Sequence, residues 1–292
     1  MQEVSRMNWN EESFCALILT HGRAENLDTT STLRRQGYTG PIKYLIDNRD
    51  EQADLYIKRF GDDNVFIFDK DEWVAKVDKA CNFGDDRSVV YARNAAFKVM
   101  QDAGYEYFLM LDDDYTNFQY KFRSDKTFHA KTIANLDTTF KAFLNYLKST
   151  KIKTICFAQG GDFIGGGASN KAKAITAWRK AMNAFFVRSD DPIPFVGTVN
   201  EDVNAYVNDG KTSSPYLTHN MVSLVQRITQ TNKGGLTDIY LSQGTYVKSF
   251  YSIIFEPSCV KISMMGMKEY RLHHHVKWNL AAPKIVSEKY KK

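Results

Sequence analysis

The sequence predicts an α/β fold on a mixed, mostly parallel sheet flanked by helices, and three observations carry that reading. Short apolar runs alternate with helix-like stretches through the first half of the chain, as βα units do. Turn-forming residues punctuate them at Gly37, Gly40-Pro41, Asp47-Asn48, Gly61 and Gly104. Hydrophobic residues make up 43% and charged residues 25% of 292 positions, the balance of a globular protein rather than a disordered or fibrous one.

Phe14 to Thr20 reads as the first strand. A helix over Thr29–Gln36 leads through the Gly40-Pro41 break to a second buried strand, Ile42–Ile46, which ends on Asp47-Asn48. Asp50–Phe60 is expected helical and stops at Gly61, followed by a strand at Val65–Phe68 and helices over Asp71–Ala80 and Val89–Ala103. Tyr107–Leu111 forms a fourth strand that runs straight into Asp112-Asp113-Asp114. Ile133, Leu136, Phe140, Phe143, Leu144 and Leu147 recur at spacings of three and four, one face of a helix before a strand at Thr154–Ala158. The remainder is less regular: a glycine-rich loop between Gly160 and Gly167, a strand near Asn183–Val187 and a helix starting at Glu201. With no internal repeat and no Pro/Ser-rich linker, a single domain over 1–292 is expected. The first half, about 14–115, is expected to bind a nucleotide-like ligand and the second, about 116–292, to build an acceptor pocket.

Several function classes drop out. No apolar run approaches the roughly 18 residues of a membrane span, and Met1–Ser13 carries three glutamates and no apolar stretch of a secretory signal; a cytoplasmic protein without a membrane partner is expected. The four cysteines form no C-x-x-C pair, so neither a zinc site nor a disulfide framework is indicated. Neither G-x-x-x-x-G-K-[ST] nor G-x-G-x-x-G occurs, which argues against a P-loop kinase or a dehydrogenase. The net charge of +5 is compatible with an anionic partner without requiring one.

Three groups of residues suit chemistry. Carboxylates on a tight turn after a buried strand fit a hard divalent cation that bridges to phosphate oxygens, although Asp112-Asp113-Asp114 read alone is equally a solvated acidic turn. Glu201-Asp202 at a helix start offers a general base, or simply complements the helix dipole. His273, His274 and His275 hold half of the six histidines; if extended, His273 and His275 share one face and His274 takes the other, as metal ligands or as a basic surface cluster.

Four segments in this order resemble an inverting glycosyltransferase of the GT-A fold: Leu17–Arg23 with Tyr44–Asn48, Arg87–Asn94, Leu111–Asp114, and Asn200-Glu201-Asp202. The resemblance implies that Thr20, Arg23 and Asp47 hold the nucleoside, with Arg93 at a helix start beside the nucleotide. It implies that Asp112-Asp113-Asp114 is the DxD motif, with Asp112 and Asp113 on the sugar nucleotide and Asp112 and Asp114 on Mn²⁺ or Mg²⁺. Asp202 then serves as the base, with Glu201 next in line, and His273 and His275 close the metal. The third consecutive Asp departs from the pattern and leaves open which acid touches metal.

The run of motifs also looks like the glycosyltransferases associated with TET/JBP oxygenases, which include the base J glucosyltransferase and bacteriophage enzymes. That resemblance implies transfer from a UDP-sugar to a hydroxymethylated pyrimidine in DNA, in the host-cell cytoplasm if the chain is bacteriophage-encoded. Basic and aromatic residues interleave from Phe118 to Lys131, with more positive charge at Lys171, Lys173, Arg179 and Lys180, a composition for phosphates and stacked bases. Taken alone, each segment is also a solvated face with core aromatics. Trp178 suits base stacking, though core burial is its expected role. The alternatives are the same chemistry on a glycan, lipid or protein, and a non-catalytic DNA-binding module on a transferase fold.

Overall fold

A computed structural model describes residues 8–80, 84, 86–125, 127–159, 175–227, 246–265 and 271–291. The expected glycine-rich loop, Lys126, Lys171 and Lys173 lie outside them. The all-apolar run Phe14–Leu19 becomes strand β1, buried at every position, because it is covered on both faces as parallel strands are. In chain order follow α1 (Asp28–Arg35), β2 (Ile42–Asp47), α2 (Ala53–Phe60), β3 (Val65–Phe68), α3 (Lys70–Lys76), α4 (Val90–Asp102) and β4 (Tyr107–Asp112). Next come β5 (Tyr115–Phe122), β6 (Phe128–Thr132), α5 (Leu136–Thr150), β7 (Thr154–Ala158), β8 (Ile175–Thr176), β9 (Phe185–Arg188) and α6 (Glu201–Asn208). The chain continues through β10 (Tyr216–Gln226), α7 (Tyr246–Phe255), β11 (Val260–Met265) and β12 (Arg271–Val276).

Among the described residues one mixed sheet runs in the order β3-β2-β1-β4-β9-β7-β10-β5-β6, with β8 beside β10. The expected α/β class is thus the observed one. β3, β2, β1 and β4 are parallel neighbours, and the strand order reverses between β1 and β4, where the carboxyl ends of an open sheet leave a crevice. β9 enters antiparallel between β4 and β7, and β5 and β6 extend the far edge antiparallel. β11 and β12 form a separate antiparallel pair.

The pleat of β1 divides the core. Phe14, Ala16 and Ile18 face α1, α2 and α5, while Cys15, Leu17 and Leu19 face α4 and α6. Asn135 caps α5 by accepting the Thr138 N–H at 3.0 Å, so Ile133 sits before the helix rather than on its face. It stays buried by donating its N–H to Phe118 O. The sequence reading assigned no strand at β5, β6, β8, β10 or β11. β10 buries Thr218, Asn220 and Ser223, polar residues that erase its apolar alternation, while β5 and β6 lie in the basic-aromatic stretch. Trp178, expected in the core, is instead 63% exposed, because it sits in the loop after the edge piece β8. No described helix is long and apolar enough to cross a membrane. Cys15, Cys156 and Cys259 are buried and unpaired, as expected for small core hydrophobes.

Phe140 on α5 is fully buried and lies 5.3 to 6.1 Å from the rings of Tyr38, Phe118, Phe157 and Phe186. Phe140→Ala is expected to cost about 3–5 kcal/mol, read as a lower urea midpoint with an unchanged slope.

Candidate active site

Three strand ends meet at the crevice. Thr29, wholly buried at the start of α1, fixes the acidic turn after β4: its Oγ1 donates to Asp112 O at 2.6 Å and its N–H to Asp113 O at 3.1 Å. The Tyr115 N–H returns a bond to Thr29 Oγ1 at 2.9 Å. The three carboxylates therefore leave one rigid turn in different directions.

Each meets a different environment. Asp113 accepts from Arg23 Nη1 at 2.7 Å and from Thr20 Oγ1 at 2.8 Å, which ties the loop after β1 to the turn after β4. Burial nevertheless pushes its carboxyl up, with Arg23 opposing. Asp112 accepts from Arg93 Nη2 at 3.1 Å and from Tyr115 Oη at 3.1 Å. Asp114 has no salt-bridge partner among the described residues; burial, then Asp112 and Asp113, push it up to about 7. Among the described residues no three His, Cys, Asp or Glu side chains stand together as a ready metal cluster.

Arg93 is 2% exposed and joins the two acidic motifs. Its Nη2 pairs with Asp112 and its Nε lies 3.1 Å from Glu201 Oε1, while its guanidinium stacks near Phe185 and Phe195 at 5.3 and 5.5 Å. Glu201 is raised by burial, opposed by Arg93 and reinforced by Asp202. Asp202 is buried, and its Oδ1 accepts the Val203 N–H at 2.7 Å. The approach to α6 is tightly built. Gly197 has φ +78°, and a Cβ there would stand 2.6 Å from Asn204 Nδ2 and 2.8 Å from Phe255. Asn200 takes the left-handed conformation, which asparagine tolerates, and donates to Lys248 O at 2.5 Å.

The structure thus brings together Thr20, Arg23 and Asp113, and separately Arg93, Asp112, Glu201 and Asp202. Asp47 stands at the next strand end with His21, Asp50 and Lys70, a grouping that the sequence reading did not assign. His21 lies inside a quoted motif, but its partners are 26 and more residues away. β12 is extended as expected: His275 is exposed and His273 half-buried, while His274 faces inward. His274 Nδ1 lies 3.5 Å from Asn200 Nδ2, and burial with Lys180, His273 and Lys248 presses its pKa down to about 2. The inward histidine beside the Glu201-Asp202 helix is therefore His274.

Because folded Asp114 holds its proton to about pH 7 and an unfolded aspartate only to about 4, this group makes stability fall as pH rises between those values and leaves it lower above them. Asp114→Asn is expected to raise the melting temperature of the metal-free protein at about pH 8 and to leave it unchanged at about pH 4, by calorimetry. A less stable variant at the higher pH would show that Asp114 is paired.

Two solved structures similar in shape are crystal structures of glucosyl-3-phosphoglycerate synthase from Mycobacterium tuberculosis. One, with Mg²⁺ and uridine diphosphate, is 9% identical with 92% of each chain covered and a TM-score of 0.43. The other, with Mn²⁺ and UDP-glucose, is 8% identical with 96% of this chain and 93% of that one covered, also at 0.43. No curated protein matches the chain. The sequence matches the family TET-Associated Glycosyltransferase over residues 14–235. That span contains the strand-end acids, Arg93 and the Glu201-Asp202 pair, and the chain belongs to this family of glycosyltransferases.

Proposed function

We propose that the protein is a divalent-metal-dependent, inverting glycosyltransferase that moves a sugar from a UDP-sugar to the hydroxymethyl group of a modified pyrimidine in DNA. The observation that carries this reading is the buried Arg93 bridge. It sets the acids after β4 beside those opening α6, so a donor-holding group and a base group face one crevice.

The donor set fits a hard cation: Asp112 and Asp114 offer only oxygen, and Asp114, with no salt-bridge partner among the described residues, is raised by burial and its neighbouring acids. These two would hold Mn²⁺ or Mg²⁺, with His273 and His275 of β12 as candidates for further ligands; Asp113 is committed to Arg23 and Thr20. The bound ion would neutralise charge on the leaving diphosphate. Thr20, Arg23, Asp47 and Asp113 line the donor side. Asp202 takes the proton from the acceptor hydroxyl, whose oxygen bonds to the anomeric carbon as the bond to the diphosphate breaks. Inversion follows from a single displacement. Glu201, held by Arg93, keeps that guanidinium in place.

The acceptor side favours a nucleic acid. Trp178 is exposed, and every β6 side chain, among them Phe128, His129 and Lys131, faces solvent, suited to stacked bases and phosphates. A base must leave the stack to present its hydroxymethyl group, at a cost of a few kcal/mol. Incubation with sugar nucleotides and hydroxymethylpyrimidine DNA, read by nucleoside mass spectrometry, tests the assignment. Transfer to a glycan, lipid or protein with none to DNA would move the acceptor elsewhere.

Asp202→Asn is expected to lower kcat by about 10²–10⁴-fold while leaving the donor KM near wild type, measured by steady-state kinetics. Near-normal turnover would shift the base to Glu201. Trp178→Ala should raise the KM for DNA by about ten- to a hundredfold without changing donor hydrolysis in the absence of DNA. DNA affinity should also fall steeply with salt as condensed counterions are released. Weak, salt-insensitive binding by the wild type would defeat the nucleic-acid reading.

A further inference from the structure

The carboxyl ends of β1 and β2 carry a side-chain arrangement that the transfer chemistry leaves unused. His21 follows β1 directly, and its Nδ1 lies 2.8 Å from Asp47 Oδ2 and 3.7 Å from Asp50 Oδ2. Both aspartates are nearly buried, whereas the His21 side chain is 54% exposed. Lys70, at the start of α3, reaches Asp47 Oδ2 at 3.3 Å, and Asp47 Oδ1 accepts the Arg49 N–H at 3.1 Å. Asp50 is spent on backbone, accepting from Gly22 N at 2.8 Å and Gln52 N at 2.9 Å.

Asp47 is therefore saturated by groups of its own chain. A carboxylate only accepts, so the bond to His21 is Nδ1–H donating to Asp47. That bond fixes the ring and leaves Nε2 on the exposed edge, with no hydrogen-bond partner among the described residues. The neighbours Thr20 and Arg23 bind Asp113, so His21 stands between the DxD turn and the end of β2.

We infer that His21, with Asp47, Asp50 and Lys70 as positioning residues, is the side chain that reads the donor base, donating Nε2–H to a carbonyl oxygen of a pyrimidine. This rests on the donor-site reading above and names the contact within it. The charged groups facing the imidazole are Asp47 at the end of β2, Asp50 in the following loop and Lys70 on α3. The hydrogen bond to Asp47 raises the His21 pKa, outweighing burial, and Lys70 opposes it. Burial pushes Asp47 up, but His21 and Lys70 outweigh it and hold it ionised below the ordinary range. As pH rises through the His21 pKa the ring keeps Nδ1–H on Asp47 and loses Nε2–H, so base recognition is present at lower pH and lost at higher pH.

The test is calorimetric titration of the wild type, His21→Gln and Asp47→Asn with UDP and with pyrophosphate, in Mn²⁺, at about pH 6.5 and about pH 8.5. Pyrophosphate has one more terminal phosphate to titrate than UDP, so each comparison is made against His21→Gln at the same pH, which cancels the ligands' own ionisation and isolates the histidine. Wild type should lose about tenfold or more of its UDP preference over pyrophosphate at the higher pH. His21→Gln should lack that preference at both values while binding pyrophosphate normally, and Asp47→Asn should lose it at lower pH than wild type. A His21→Gln protein that keeps the wild-type preference and its pH dependence overturns the assignment, as does one weakened equally toward both ligands. Wild-type protein that binds neither ligand overturns the donor-site reading itself, a result separable from the other two.

Discussion

A guanidinium sealed in the interior is the constraint on which the site depends. Arg93 cannot be buried without anions, because an unpaired internal charge costs several kcal/mol. The acids after β4 and those opening α6 likewise could not approach each other without a cation between them. The aromatic walls of Phe185 and Phe195 fill the remaining directions with ring faces, which a cation tolerates. Strand β9, which supplies Phe185, is the antiparallel strand inserted beside β4. The sheet's change of polarity and the joining of two acidic motifs are thus one arrangement.

The first half of the fold was legible because its strands are buried on both faces and spell this out as unbroken apolar runs, Phe14–Leu19 above all. Legibility failed where burial and apolarity part company. β10 hides behind Thr218, Asn220 and Ser223, whose hydroxyls and amide occupy interior positions that a hydropathy pattern assigns to solvent. Trp178 errs the other way, a large aromatic left in water. In the site, adjacency in sequence exposed the acids, but the ties between distant residues were invisible: Arg93 with Glu201, and His21 with Asp47. Of the histidine run, alternation separated the faces correctly. Which face turns inward was decided by packing on α7, and that put His274 beside Asn200.

The acidic turn shows how site and scaffold trade against each other. Thr29 holds three carboxylates on adjacent residues with backbone and hydroxyl bonds, and among the described residues two of them, Asp112 and Asp113, pair with an arginine. At Asp114, burial and the neighbouring acids outweigh the relief that Arg23 gives. A fold optimised for stability alone would place an amide there. Opposite this, Asp113 fastens the β1 loop to the β4 turn through Thr20 and Arg23, so that side of the crevice is preorganised.

Strand β6 has a consequence of another kind. Its five residues are all exposed and, among the described residues, it pairs with β5 alone, so apart from Phe128, whose ring packs on Phe122, the core asks little of their identity. Substitutions at such positions usually change stability by less than about 0.5 kcal/mol. Stability therefore leaves this edge free to follow whatever surface it meets, while Arg93 and its partners can change only together. In a lineage of such proteins the partner would shape this margin, and the fold itself would hold the crevice.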